Sequence, residues 1–148
     1  MRARDFVKAL DHEKVVAAIA EAEKKTSGEI RVFVTRLEVA DALAAAREHF
    51  AELKMERTAE RNAALILFAP RVRKFAVFGD RAIHEKCGDN FWHGVNATMR
   101  AKLQAGDFTG AVVEAVNEIG AVLAEHFPPR AGGEETPRDE LPNDVVED

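Results

Sequence analysis

At 148 residues, 47% hydrophobic and 32% charged, the chain has the length and apolar content for one domain with its own core, and not for two. Its formal charge of -5 is unevenly held: residues 131–148 carry seven acids (Glu134, Glu135, Asp139, Glu140, Asp144, Glu147 and Asp148) against Arg138, which leaves the body at +1. A body so nearly neutral lacks the basic stripe of a phosphate-backbone binder, so nucleic acid is not an expected partner; Arg71, Arg73 and Lys74 are only a local group. The amino-terminal residues have no apolar signal segment, and no run approaches the ~20 apolar residues that span a bilayer. The lone cysteine, Cys87, excludes an intramolecular disulfide. The expected setting is cytoplasmic, without membrane insertion.

Residues 1–10 read as a lead-in to a domain over 11–129. Asp11 is placed to cap a helix, with Leu10 and Val15 in the positions of a hydrophobic staple and Val15, Ile19 and Ala22 on one face. Thr26-Ser27-Gly28 ends that helix, and Glu29 opens a strand in which Ile30, Val32 and Val34 alternate. Val39, Leu43, Ala46, Phe50 and Leu53 recur at helical steps, with Asp41, Arg47, Glu48 and Glu52 outward. A polar connector, 54–62, leads to the unbroken apolar run Ala63 to Ala69, a strand buried on both faces. Pro70 closes it. The next apolar run, Phe75 to Phe78, follows too soon for a crossover helix and must return antiparallel. Asp89 can cap a helix carrying Trp92, Val95, Met99 and Leu103 on one face. After Gly106, Asp107 can cap a second, with Phe108, Val112, Ala115, Ile119 and Val122 inward. Phe127-Pro128-Pro129 halts it, and Gly, Pro and acids from Arg130 onward predict an acidic tail without structure over 130–148.

The expected fold is therefore α/β: a small mixed sheet built from a βαβ unit and a hairpin, followed by a helical hairpin. If the first two strands are parallel and the third returns, then Gly28, Glu29, Arg61, Asn62, Gly79, Asp80 and Arg81 gather at one rim of the sheet. Function is argued from that rim. Glu29, Asp80, Glu85 and Asp89 could supply hard oxygen ligands to Ca²⁺ or Mg²⁺. In the competing account Asp89 only caps its helix, Glu85 is solvated and Asp80 pairs with Arg61 or Arg81. His84 with Cys87, and Asp89 with His93, fall short of the ligands a zinc site needs. Phosphate-loop, nucleophile-elbow and zincin signatures are all missing, and no nucleotide cofactor is expected.

Thr26-Ser-Gly-Glu-Ile-Arg-Val32, Arg61-Asn62 with its apolar strand, Phe78-Gly-Asp80, Phe91-Trp92 and His126-Phe-Pro128 together resemble the TPM domain family, over about residues 11 to 129. The resemblance implies a three-layer α/β/α sandwich. It further implies a family in which some members are described as weak acid phosphatases and some as calcium binders, with Glu29, Asn62 and Asp80 the positions to carry over. Ala63 and Ala82 stand where many members have glycine, and a methyl group at each restricts close approach of backbone to a phosphate. Two functions follow. One is an interaction module engaging a protein through the rim or the acidic tail. The other is a weak metal-assisted phosphomonoesterase, with Asp80 holding the cation and Arg61 or Arg81 neutralising phosphate. The two alanines and the lack of a nucleophile–base pair favour the first.

Overall fold

The computed structural model describes residues 1–129 and 145–148. Its framework is a four-stranded sheet in the order β3-β2-β1-β4, formed by β1 (Glu29–Val34), β2 (Ala63–Ala69), β3 (Lys74–Gly79) and β4 (Val146–Glu147). β1 and β2 run parallel, Glu29 opposite Ala63 and Val34 opposite Phe68, and β3 returns antiparallel with Gly79 opposite Ala64. This is the βαβ unit and hairpin read from the sequence. β2 has a neighbour on each side and buries all its residues. The hairpin turns through a short 3₁₀ helix, Pro70–Val72, and Arg73 at φ 54°.

Helices cover both faces, which gives the three layers expected. On one side α3 (Ala42–Glu52) crosses β2 and β3; on the other lie α1 (Ala3–Ala9), α2 (His12–Lys24), α4 (Arg81–Gln104) and α5 (Phe108–His126). Strand alternation divides the core between them. Val32, Ile66 and Phe68 pack with Ile19, Val112 and Ile119, whereas Phe33, Leu65 and Leu67 pack with Ala46, Phe50 and Met55. Two expected caps are made, Asp11 and Asp107 accepting the backbone N–H groups of Lys14 and Gly110 at 3.2 and 2.9 Å; Asp41, read from the sequence as an outward residue, caps α3 by accepting the Ala44 N–H at 3.1 Å.

Four features differ from the sequence expectation. Residues 1–10 are more than a lead-in, because α1 carries Phe6 into the core, its ring 5.0 Å from Phe68 and 5.2 Å from Phe108. On α3 the buried stripe is Ala45, Ala46 and Phe50, and Leu43, one turn from the Asp41 cap, is 46% exposed. The other face of β1 is also covered, so Arg31 is buried along with Phe33. α4 starts at Arg81, with Asp80 as its N-cap, and only its second limb follows the expected Asp89; Gly88, at φ 70° and ψ 179°, separates the limbs.

The expected tail, 130–148, lies outside the described residues over 130–144. Its end is not unstructured. Val146 and Glu147 pair in parallel with Phe33 and Val34, and the Asp148 carboxylate accepts the Thr35 hydroxyl and, at 2.9 Å, the Arg36 N–H. Val145 and Val146 pack on the two core faces, and backbone pairing satisfies part of the β1 edge. Deleting residues 145–148 should therefore cost about 1–3 kcal/mol, a few hydrogen bonds' worth. An unchanged denaturation midpoint would mean that β4 contributes no stability.

Candidate functional site

The strand register brings Glu29, Arg61, Asn62 and Asp80 to one end of the sheet, as the topology predicts. Asp80 is 4% exposed there. Its carboxylate takes a bidentate pair from Arg61, Nε to Oδ2 at 2.8 Å and Nη2 to Oδ1 at 3.0 Å, and accepts the Arg81 N–H at 2.8 Å as the cap of α4. The Asp80 N–H donates to the Ala63 carbonyl at 2.9 Å, and the Ala82 N–H to the Arg61 carbonyl at 3.2 Å. Arg61 meets this geometry at φ 53°. Its hydrogen bond to Asp80 raises the guanidinium pKa further above its ordinary value, against a smaller lowering by burial.

The neighbouring motif residues hold the rim together. The Thr26 hydroxyl donates to the carbonyls of Phe127 and, at 3.1 Å, Leu123, and the Ser27 N–H donates to Phe127 at 3.0 Å, so the loop before β1 is tied to the end of α5. Asn62 is buried and donates to the Ser27 hydroxyl at 3.1 Å. A β-carbon on Gly28 would stand 2.9 Å from the Asn62 carbonyl, and one on Gly79 2.6 Å from the Trp92 ring, so both glycines are required by close packing.

From this rim a groove of about 890 Å³ runs along β3 between α3 and α4. Among the described residues β3 is an edge strand, paired with β2 alone. Arg47 reaches over the Phe78 ring from α3, and Arg100 over the Phe75 ring from α4, each 5.6 Å from the ring centre. Arg73, Lys74 and Arg81 also line it. Of its acids, Asp80 is paired with Arg61, Asp41 caps α3 and Asp89 lies 3.7 Å from His84. The groove is thus cationic although the body as a whole is nearly neutral.

The model of the TPM domain matches residues 3–122. The chain belongs to the TPM domain family. The BA42 protein of the psychrophilic bacterium Bizionia argentinensis, solved by NMR, is similar to it at 32% identity and a TM-score of 0.81, over 93% of this chain and 92% of that one. The N-terminal domain of the cg2496 protein of Corynebacterium glutamicum shares the fold, with 16% identity and a TM-score of 0.58 over 75% of this chain and 70% of that one. No match was found among curated proteins.

In this TPM domain the carboxylates expected to hold a cation do not converge. Glu85 and Asp89 are exposed on α4, and Asp80 is turned to Arg61. Among the described residues no group of three or more His, Cys, Asp or Glu side chains could hold a metal ion. The cause is local: capping α4 and binding Arg61 take up three of the roughly four acceptor sites of the Asp80 carboxylate. Cys87 is half-buried, and burial first, then the charge of Glu125, pushes its thiol pKa up, which disfavours the reactive thiolate. Arg31, on β1, has no hydrogen-bond partner for Nε or Nη1 among the described residues; burial lowers its pKa and Glu29 partly offsets this. Among the described residues no helix is long and apolar enough to cross a membrane.

The groove's arginines were not legible as a group, because Arg47 comes from α3 while Arg81 and Arg100 lie far apart along α4. The available signal was Arg47 on the polar face of α3 and the basic Arg73-Lys74 at the hairpin turn. Neither shows that the third strand has an open edge.

Proposed function

We propose that this TPM domain is an interaction module that engages an acidic partner in the groove beside β3, with Asp80 and Arg61 as a structural brace at its rim. The bidentate Arg61–Asp80 pair carries this reading. For metal-assisted phosphomonoester hydrolysis, Asp80 would have to give up its bidentate pair with Arg61 to hold Ca²⁺ or Mg²⁺. Arg47 and Arg100, by contrast, already face the groove without a carboxylate partner among the described residues.

Trp92, the chain's one tryptophan, lines the groove and reports its occupancy. Polyglutamate should change its fluorescence saturably and in a salt-dependent way, and polylysine should not. A parallel assay with a chromogenic phosphomonoester and Mg²⁺ or Ca²⁺ should give no turnover that depends on Asp80. Metal-dependent turnover lost in Asp80→Asn, at a temperature where that variant is folded, would overturn the reading in favour of the phosphatase.

A further inference from the structure

The open edge of β3 has a defined hydrogen-bonding pattern. The Asp80 N–H bonds the Ala63 carbonyl, and antiparallel pairing then alternates along the strand, so Phe78, Ala76 and Lys74 exchange bonds with β2. The Thr35 N–H bonded to the Phe68 carbonyl fits the same alternation, since it directs the backbone of Phe68 towards β1 and away from β3. Phe75, Val77 and Gly79 therefore turn their N–H and C=O groups to the groove. Such an edge is a template for another strand. Helices α3 and α4 flank it, and its six residues make an edge about 20 Å long at ~3.3 Å per residue. An arginine stands over each face of that edge, Arg47 over Phe78 and Arg100 over Phe75.

From this geometry we infer that β3 binds an extended acidic peptide of a partner protein as a fifth strand. The inference rests on the module reading above and specifies its mode. Backbone groups of Phe75, Val77 and Gly79 supply the affinity common to any strand, and the arginines on both faces select carboxylate side chains. Arg73, Lys74 and Arg81 extend the positive lining along the groove, while its acids are already engaged. Lys74 is committed to the Ala40 carbonyl at 2.6 Å, which leaves the arginines as the selecting groups. Charge alone would draw in any polyanion. The exposed ladder of donors and acceptors favours a peptide, since a nucleic acid backbone has no N–H groups to pair with it.

The test uses the full chain and three probes: acetylated octaglutamate amide, the same peptide N-methylated at every residue, and a single-stranded oligothymidylate. Octaglutamate should bind and slow hydrogen exchange at the amides of Phe75, Val77 and Gly79. The N-methylated peptide should bind at least about tenfold more weakly, a difference of ~1.4 kcal/mol. Val77→Pro removes a groove-facing N–H, along with core contacts of the buried Val77 side chain, and should weaken octaglutamate by a similar factor, proline being tolerated on the open side of an edge strand. Should that variant fail to fold, Arg47→Glu with Arg100→Glu, both at exposed positions, must abolish binding while preserving the melting temperature within a few degrees. Octaglutamate binding that is unaffected by N-methylation, or that protects none of the three amides, overturns strand addition and leaves the module reading in place. Oligothymidylate binding more tightly than octaglutamate overturns it in favour of a general polyanion site. No acidic probe binding at all overturns both.

Discussion

Leu67→Ala is expected to lower stability by about 2–5 kcal/mol, and Leu67→Asp to prevent folding. Leu67 is 0% exposed in β2, the strand with neighbours on both edges. Its side chain belongs to the smaller of the two core layers, with Phe33, Phe50 and Met55. The facing helix contributes Ala45 and Ala46, so its backbone already lies close to the sheet and has little room to move into a cavity. The cost should therefore fall in the upper part of that range. Denaturant unfolding with an unchanged slope would measure it. A change below ~1 kcal/mol would mean that this layer collapses around the gap, and the rigid two-sided sheet described here would be wrong.

Asp80→Ala is expected to destabilise the domain nearly as much, through two losses. The α4 cap alone accounts for about 0.5–2 kcal/mol. The bidentate pair is the second loss, and with it the anchor that ties the start of β2 to the end of β3 at the rim. Asp80→Asn retains an acceptor for the Arg81 N–H and should be milder. A double-mutant cycle with Arg61→Met isolates the pair: the second substitution should cost much less in the Asp80→Ala background than in the wild type. Additive effects would show that the two side chains do not stabilise each other, leaving Asp80 free for a cation.

The sequence was most legible where one physical pattern acts alone. Ala63 to Ala69 could only be a two-sided strand, Pro70 to Arg73 could only be a tight return, and Asp11 and Asp107 stand where helix starts need an acceptor. Those elements suffice to place the rim residues together. They do not say which groups bond. Four carboxylates near one rim suggested a cation; in the fold Arg61, at φ 53°, reaches the Asp80 carboxylate. The first limb of α4 was missed because 81–87 lacks a long apolar stripe; Ile83 is its only fully buried residue. β4 was missed because two residues of a distant acidic segment carry almost no strand signal, and the pairing is decided by the open edge of β1. The groove was missed for a similar reason: its arginines are adjacent only after α3, the hairpin and α4 have packed.

The claim that the rim is a brace and the β3 groove the working surface is tested most directly by amide-resolved NMR of the intact chain, titrated with calcium and then with polyglutamate. Calcium should leave the Glu29, Arg61 and Asp80 amides in place, and polyglutamate should shift Phe75, Val77, Gly79 and the Arg100 turn of α4. Saturable calcium shifts centred on Glu29, Asp80, Glu85 and Asp89, with the groove unmoved by polyglutamate, would contradict it.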